Sequence, residues 1–398
     1  MATISNDIIA QKLQQASARL DELGIDLWMT FVQETSAGAE RAFSYISPGH
    51  LTWESAVLVT KGGHKEVICG QMDHPDFEKS GLYDRVSPYM KDFLEPFRAF
   101  LDEHKPRKVA LNYSLDDFAA DGISHGSFLH LEGLFKEHLP EAEIVSAEKI
   151  IGSLISQKSP LELAAIEEGV VHTVAIFDEI GKFLKVGRTE LEVYGFVQER
   201  MEARGLEPSF PTLVFAGDRG AGMGHATATD NDLRPGDLIH VDMGVMVRGY
   251  ASDMQRTWYV LRPGEDRAPK AVQKGFDTIA HAIEEAGKAV VPGAKGADVD
   301  GIARKIITDA GYPEYPHGLG HQIGQEAHDG GALLCPAWPR YKNTPFIPLM
   351  EGQIFTLEPS LNVEGHGAVG LEEDVVVTPD GARYLHEPQR ELWYVRNA

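Results

Sequence analysis

Residues 239–261 read IHVDMGVMVRGYASDMQRTWYVL, and residues 354–378 read IFTLEPSLNVEGHGAVGLEEDVVVT. Each carries strand-forming residues on both sides of a glycine-bearing centre, the pattern of a β-hairpin. The first turns near Arg248 and Gly249, so Asp242 and Asp253 fall roughly opposite each other. The second turns near Gly365 and Gly367 and brings Glu358 opposite Glu372. Like charges facing each other across adjacent strands destabilise a sheet. A single pair of this kind reads equally well as solvated strand residues. Two pairs in corresponding places, each set among Val, Ile, Leu and Met, argue against that, because burying unpaired carboxylates is costly. Four inward carboxylates need cations, and Lys and Arg are scarce nearby, although Arg256 offsets part of the charge. Two divalent metals sharing carboxylates balance the site. Hard oxygen donors with one or two histidines suit Mn²⁺, Co²⁺, Fe²⁺ or Zn²⁺.

The two hairpins belong to an internal repeat. GDLIHVD (236–242) and GQIFTLE (352–358) share one pattern, and each follows a helix ending in glycine (Gly205, Gly311) and then a histidine-bearing loop. The second loop is HGLGHQIGQEAHD (317–329), with His317, His321 and His328. His317 and His321 have the spacing of two ligands on one helical face. Gly318, Gly320 and Gly324 oppose a helix there, since each glycine costs up to ~1 kcal/mol in one. The segment is therefore flexible or extended backbone that brings imidazoles close to something, not a zinc helix.

Upstream, IDLWMTFV (25–32), SAVLVT (55–60), KEVICG (65–70), KVALNY (108–113) and AEIVSA (142–147) read as strands. DFLEPFRAFLDEHK and LHLEGLFKEHL read as helices between them, an α/β pattern. The N-terminus is an amphipathic helix ending at Gly24, without the apolar core of a signal peptide. Near residue 156 the pattern changes. Ser159, Pro160 and Glu162 form a helix-start signal for a helix running to about Leu184, and Thr189 with Glu192 a second one, for a helix stopping at Gly205.

Composition narrows the function. The chain has 398 residues, enough for two domains. Lys plus Arg is 37 and Asp plus Glu 60, a formal charge of −23, which argues against nucleic acid or an anionic membrane as partner. Only Cys69 and Cys335 are present, in keeping with a reducing, cytoplasmic location. No apolar run reaches membrane-spanning length.

IHVDMGVMVRGYASDMQRTW, HGLGHQIGQEAHD, FTLEP and GLEEDVVVT together resemble the metal-binding segments of the pita-bread metallopeptidases, which include methionine aminopeptidase, aminopeptidase P and prolidase. The resemblance covers about residues 157–398. Residues 1–156 resemble the N-terminal domain of the prolidase, aminopeptidase P and creatinase branch, chiefly in length and α/β pattern. It implies an α+β fold: a pita-bread catalytic domain at 157–398, with a pseudo-twofold curved antiparallel sheet covered by helices, after an α/β domain at 1–156. It implies Asp242, Asp253, His321, Glu358 and Glu372 as ligands of two divalent ions, Mn²⁺ first. Asp253 and Glu372 bridge, Asp242 completes one site, and His321 and Glu358 complete the other. His328 then contacts the substrate and the tetrahedral intermediate, His317 lines the substrate pocket, and His225 is a further active-site histidine. Glu358 also shuttles the proton. Strand alternation turns Glu373 away from Glu372, to support the site or face solvent.

The implied activity is exopeptidase cleavage of short peptides, Xaa-Pro dipeptides first, with aminopeptidase P-like cleavage before proline as the alternative. A homodimer or larger assembly is implied as well. Arg41 or Tyr45, in AGAERAFSYISPGH (37–50), is the candidate for closing over the substrate. Two positions depart from the family's pattern: Gly370 stands where an arginine is usual, and Gln255 where a threonine is common. Both bear on proline specificity more than on metal-dependent hydrolysis. A creatinase-like hydrolase or a non-catalytic scaffold would be expected to lack the ligand set. A metal-using lyase of a small zwitterion would keep it.

Overall fold

The computed structural model describes residues 4–220 and 226–396. The chain forms two compact units that divide between Ser159 and Pro160.

The N-terminal unit is a six-stranded sheet: β1 (Leu27–Val32), β2 (Ser55–Thr60), β3 (Lys65–Gly70), β4 (Arg85–Tyr89), β5 (Lys108–Leu111) and β6 (Glu143–Ser146), in the order β4-β3-β2-β1-β5-β6. The β1/β2 and β2/β3 pairs are antiparallel; β1/β5, β5/β6 and β3/β4 are parallel. Helices cover both faces, which is why the central strands are apolar at nearly every position. On one face α1 (Asn6–Leu23), α2 (Arg41–Ile46) and α6 (Glu148–Ser156) bury Trp28, Val57, Val67 and Ala110. On the other, α4 (Leu94–His104) and α5 (His125–His138) bury Met29, Leu58, Ile68 and Val109. A short helix, α3 (His74–Ser80), precedes β4. Gly24 caps α1 at φ 63°, the left-handed conformation its position predicts.

The sequence reading missed β4. It is an edge strand, RVSPY, half exposed and carrying Pro88, so it lacks the apolar signature of its neighbours. The assignment of Tyr45 to a closing loop is corrected. Its ring lies in this unit's core, 2 % exposed, and the Lys12 ammonium sits 5.8 Å from the ring centre. Arg41 stacks over Phe118 at 5.4 Å.

The C-terminal unit has the pita-bread fold, a helix pair followed by a long hairpin, twice. The first half contains α7 (Pro160–Phe183), α8 (Glu190–Glu202), β7 (Glu207–Pro208), β8 (Leu213–Ala216), β9 (Leu238–Met243), β10 (Val245–Val247), β11 (Tyr250–Ala251) and β12 (Met254–Val260). The second contains α9 (Lys270–Lys288), α10 (Gly296–Asp309), β13 (Ile354–Leu357), β14 (Ser360–Val363), β15 (Gly367–Gly370), β16 (Glu373–Thr378), β17 (Gly381–Tyr384) and β18 (Trp393–Val395). Pairing is antiparallel except for β12/β18. The Thr189–Glu192 capping box forms at the start of α8. Glu162, read as part of a helix cap, is buried and accepts a hydrogen bond from the Tyr250 hydroxyl at 3.0 Å. Helices α9 and α10 supply Phe276, Ile279, Val299 and Ile307 to the core beneath the second hairpin. Among the described residues, no helix is long and apolar enough to cross a membrane.

Candidate active site

The first hairpin turns at Arg248 and Gly249, whose φ values of 50° and 84° are the paired left-handed conformations of a tight two-residue turn. That turn fixes the register of everything above it. Val247 pairs with Tyr250, and on the same count Asp242 pairs with Gln255, not with Asp253. Asp253 lies just before β12, on Gln255's face because one residue separates them, and is a diagonal neighbour of Asp242. The expected opposition of the two aspartates is thus corrected by two positions while their shared face stands. Between them, Gly244 lets the strands close: a Cβ there would lie 1.8 Å from the Ser252 carbonyl oxygen.

In the second hairpin, Leu357 pairs with Glu373 and Ser360 with Gly370. Glu358 and Glu372 fall opposite each other in the interval between these ladders, as their spacing predicts. The 317–329 segment is not helical, as its glycines require: single β-bridges form at Gly320 and Gln322, and bends run from Gly324 to His328. The His321 carbonyl accepts the Thr356 backbone N–H, the His321 N–H donates to the Thr356 hydroxyl, and Glu358 donates its backbone N–H to the Leu319 carbonyl. Gly320 permits the approach, since a Cβ there would sit 1.9 Å from the Thr356 carbonyl oxygen.

These elements bring the candidate donors together. One donor atom each from Asp253, His321 and Glu372 lie within 4.8 Å of one another. His321 Nε2 is 3.6 Å from Asp253 Oδ2 and 3.4 Å from Glu358 Oε1. Burial lifts the Asp242 carboxyl to about 7. Burial and then mutual repulsion hold Asp253, Glu358 and Glu372 well above the usual carboxylate range. Burial, and next the neighbouring His328, push His321 down to about 3, which keeps its imidazole in the neutral, ligating form. Asp242 Oδ1 is shielded from solvent and has no hydrogen-bond partner. Arg256 does not neutralise this cluster. Its guanidinium is taken up by Glu373 at 3.0 Å and by the carbonyls of Gln255 and Glu372. A divalent cation on these oxygens and one imidazole fits the donor set and would satisfy the orphaned oxygen.

The other predicted residues distribute unevenly. The His328 ring meets the His321 ring edge-on at 4.1 Å. Asp329 is buried and accepts the Gln325 backbone N–H. His317 is tied to the Ser360 hydroxyl at 3.1 Å, two residues beyond Glu358. His225 lies outside the described residues. Glu373 does face away from Glu372, but it is 2 % exposed in a buried ion pair, which corrects the solvated reading. Asp374 went unread. It is buried, its Oδ2 accepts the Asp253 backbone N–H at 3.1 Å, and its Oδ1 is unpartnered. The alternation that turned Glu373 away puts Asp374 back on the face of Glu372, so the signal was present.

The two departures from the family pattern occupy one space. Gln255 Nε2 reaches Glu372 Oε2 at 3.4 Å, and a Cβ on residue 370 would lie 2.3 Å from Gln255 Oε1 and 2.7 Å from His240 Cε1. His240 is buried against Phe215, ring centres 4.4 Å apart. Gly370 is the residue that leaves room for both side chains.

Residues 164–379 match the profile of metallopeptidase family M24. The chain is 32 % identical over 261 residues to an Xaa-Pro dipeptidase of Pyrococcus furiosus, covering 65 % of this chain and 71 % of that one. It is 38 % identical over 336 residues to an uncharacterised peptidase of Staphylococcus saprophyticus, covering 83 % and 87 %. The structure of an Xaa-Pro dipeptidase from Bacillus anthracis superposes with a TM-score of 0.74 at 23 % identity, over 97 % of this chain and all of that one, and shares the fold. With a profile match spanning both hairpins and an Xaa-Pro dipeptidase relative 32 % identical over 71 % of its length, this chain belongs to metallopeptidase family M24, the prolidase-like branch, and is a hydrolase of peptides.

Proposed function

We propose that the chain is a dinuclear exopeptidase for short peptides, with Xaa-Pro dipeptides as its first substrates and Mn²⁺ as its metal. The observation that carries this is the convergence of Asp253, His321 and Glu372 within 4.8 Å, with Glu358 at 3.4 Å from His321. In this reading Asp242, Asp253, Glu358 and Glu372, together with His321, would hold the two ions. The dipeptide substrate is supported by the Pyrococcus furiosus relative. We assign residues 1–156 as the creatinase/prolidase-type domain and 157–398 as the catalytic domain. A homodimer and a cytoplasmic location belong to the same proposal; the two cysteines, both free and buried, agree with a reducing compartment.

What a divalent pair supplies is Lewis acidity: a polarised scissile carbonyl, and water acidic enough to act near neutral pH. The remaining chemistry falls to side chains. Glu358 accepts the proton of the attacking water and delivers it to the leaving nitrogen. That delivery is essential for proline, whose imide nitrogen has no N–H and must leave protonated. His328 donates to the developing oxyanion, a contribution of ~2.7–4 kcal/mol for one such donor. His317, held by Ser360, and His225 border the substrate.

A kinetic panel tests the proposal: Ala-Pro, Met-Pro, an Xaa-Pro tripeptide and Ala-Ala with added Mn²⁺. Turnover of the Xaa-Pro dipeptides alone is the expected result. Cleavage of the tripeptide moves the assignment to aminopeptidase P-like activity. No cleavage of any peptide by fully metallated protein overturns the proposed substrate class and favours a lyase.

A further inference from the structure

The N-terminal unit holds a second cluster with metal-ligating chemistry, remote in sequence from the first. His64 lies on the turn between β2 and β3, Glu66 on β3, and His104 at the end of α4. One donor atom from each lies within 4.8 Å of the others. We propose that His64, Glu66 and His104 form a zinc-class divalent cation site that ties the β2–β3 turn to the end of α4.

Three observations carry this. The first is donor geometry. His64 Nε2 is 3.3 Å from Glu66 Oε2. Tetrahedral ligands at ordinary zinc–nitrogen and zinc–oxygen lengths stand ~3.3 Å apart, so the His64–Glu66 pair already has ligand spacing, and a His104 donor atom lies within 4.8 Å of both. The second is an orphaned nitrogen. His104 Nε2 is shielded from solvent and makes no hydrogen bond; a Glu103 oxygen stands 3.9 Å away. The two imidazoles stack at 4.8 Å with 26° between their planes, and Phe100 packs on His104 at 4.4 Å. The Glu66 carboxylate is paired with His64 and leaves His104 Nε2 without a partner, whereas one dication would satisfy both rings. Burial, and then His64, lower the His104 pKa, which favours the neutral ligating form.

The third observation is that the carboxylate is held ready. Glu66 is 1 % exposed, and its Oε1 accepts the Ser87 hydroxyl at 2.6 Å, which leaves Oε2 facing the His64 imidazole. Arg85 stands 3.4 Å from Oε2, but its guanidinium already makes a two-point pair with Glu103 at 2.8 and 3.2 Å. A cation beside Glu66 would therefore not strand it. Asp84 Oδ2, 3.9 Å from His64 Nδ1 and 3.7 Å from Lys65 Nζ, can orient the first imidazole from behind. Three protein donors leave one position for water, the pattern of an open zinc site.

The test counts zinc. Full-length wild type, His64→Asn and His104→Asn are equilibrated with excess Zn²⁺, passed through a desalting column and analysed for zinc per chain, with peptidase activity as the check that each variant folds. The expected result is one zinc fewer per chain in each variant with activity unchanged. Equal zinc in all three overturns the site and leaves an ion-pair cluster only. Should either variant fail to fold, X-ray absorption on Asp253→Ala/His321→Ala/Glu358→Ala protein, which lacks the active-site imidazole ligand and two of its carboxylates, decides at one zinc per chain: two imidazoles in the zinc shell support the site, and fewer than two overturn it.

Discussion

Gly370→Ala is the smallest change that tests how this site is packed. The added methyl carbon would lie 2.3 Å from Gln255 Oε1, 2.7 Å from His240 Cε1 and 3.1 Å from His240 Nδ1, where ordinary contact begins at 3.4 Å. Gln255 can swing, and in doing so gives up its donation to Glu372. His240 has less freedom, being 4 % exposed and stacked on Phe215 with 14° between the rings. Overpacking of this kind costs about 1–3 kcal/mol. For a unit of this size each kcal/mol lowers Tm by about 2–4 °C. Thermal unfolding in chelator reads the packing cost alone. Metal titration of the same variant reads the orientation of Glu372, and weaker binding is expected. Gln255→Ala in the Gly370→Ala background should recover part of the loss, with a coupling of about 0.5–3 kcal/mol in the double-mutant cycle. An unchanged Tm in Gly370→Ala, or strictly additive effects of the two substitutions, would refute the shared-space argument.

Asp253→Ala should abolish peptidase activity and dinuclear occupancy; full activity in that variant removes Asp253 from the site. The metal-free protein should lose stability as pH rises. Asp242 has a folded-state pKa of about 7, above the ordinary value, so its contribution is present below the unfolded carboxylate pKa and disappears as pH climbs through the folded one. Asp253, Glu358 and Glu372 shift in the same direction. Chelated protein should therefore melt lower at pH 8 than at pH 5, with the gap closed by metal; equal melting in chelator would contradict the burial argument. Arg256→Met should destabilise the unit by about 3–5 kcal/mol by stranding buried Glu373. Adding Glu373→Gln should restore much of that, and no recovery in thermal unfolding would show that the ion pair is not the cause.

What could be read from sequence depended on whether the relevant physics is local. The turn at Arg248–Gly249 is local, and it sets the register that places Asp242 and Asp253 on one face. Their exact partners needed counting outward from the turn, which shows Gln255 opposite Asp242. Glu358 and Glu372 came out opposed because their turn is centred between them. The glycines of 317–329 announced non-helical backbone, but not that Gly320 lies against Thr356, a contact between distant segments. Tyr45 was misjudged because a short helix in a polar, glycine-flanked stretch shows no periodicity, although its ring is core. Asp374 was hidden by its acidic neighbours. The mutual fit of Gly370, Gln255 and His240 spans three strands, and none of the three predicts it alone.

The candidate donors come from both hairpins and from the loop that crosses β13, segments far apart along the chain. An ion held among them is a set of non-covalent cross-links closing long loops. In the unfolded chain those same side chains would be scattered, and gathering them carries an entropy cost that rises with the length of chain enclosed. Metal affinity is therefore inseparable from the folding free energy of the C-terminal unit. An ion held by these donors would be gripped most tightly only after both halves of the repeat have met, so in refolding its capture would mark the completion of the fold rather than its beginning.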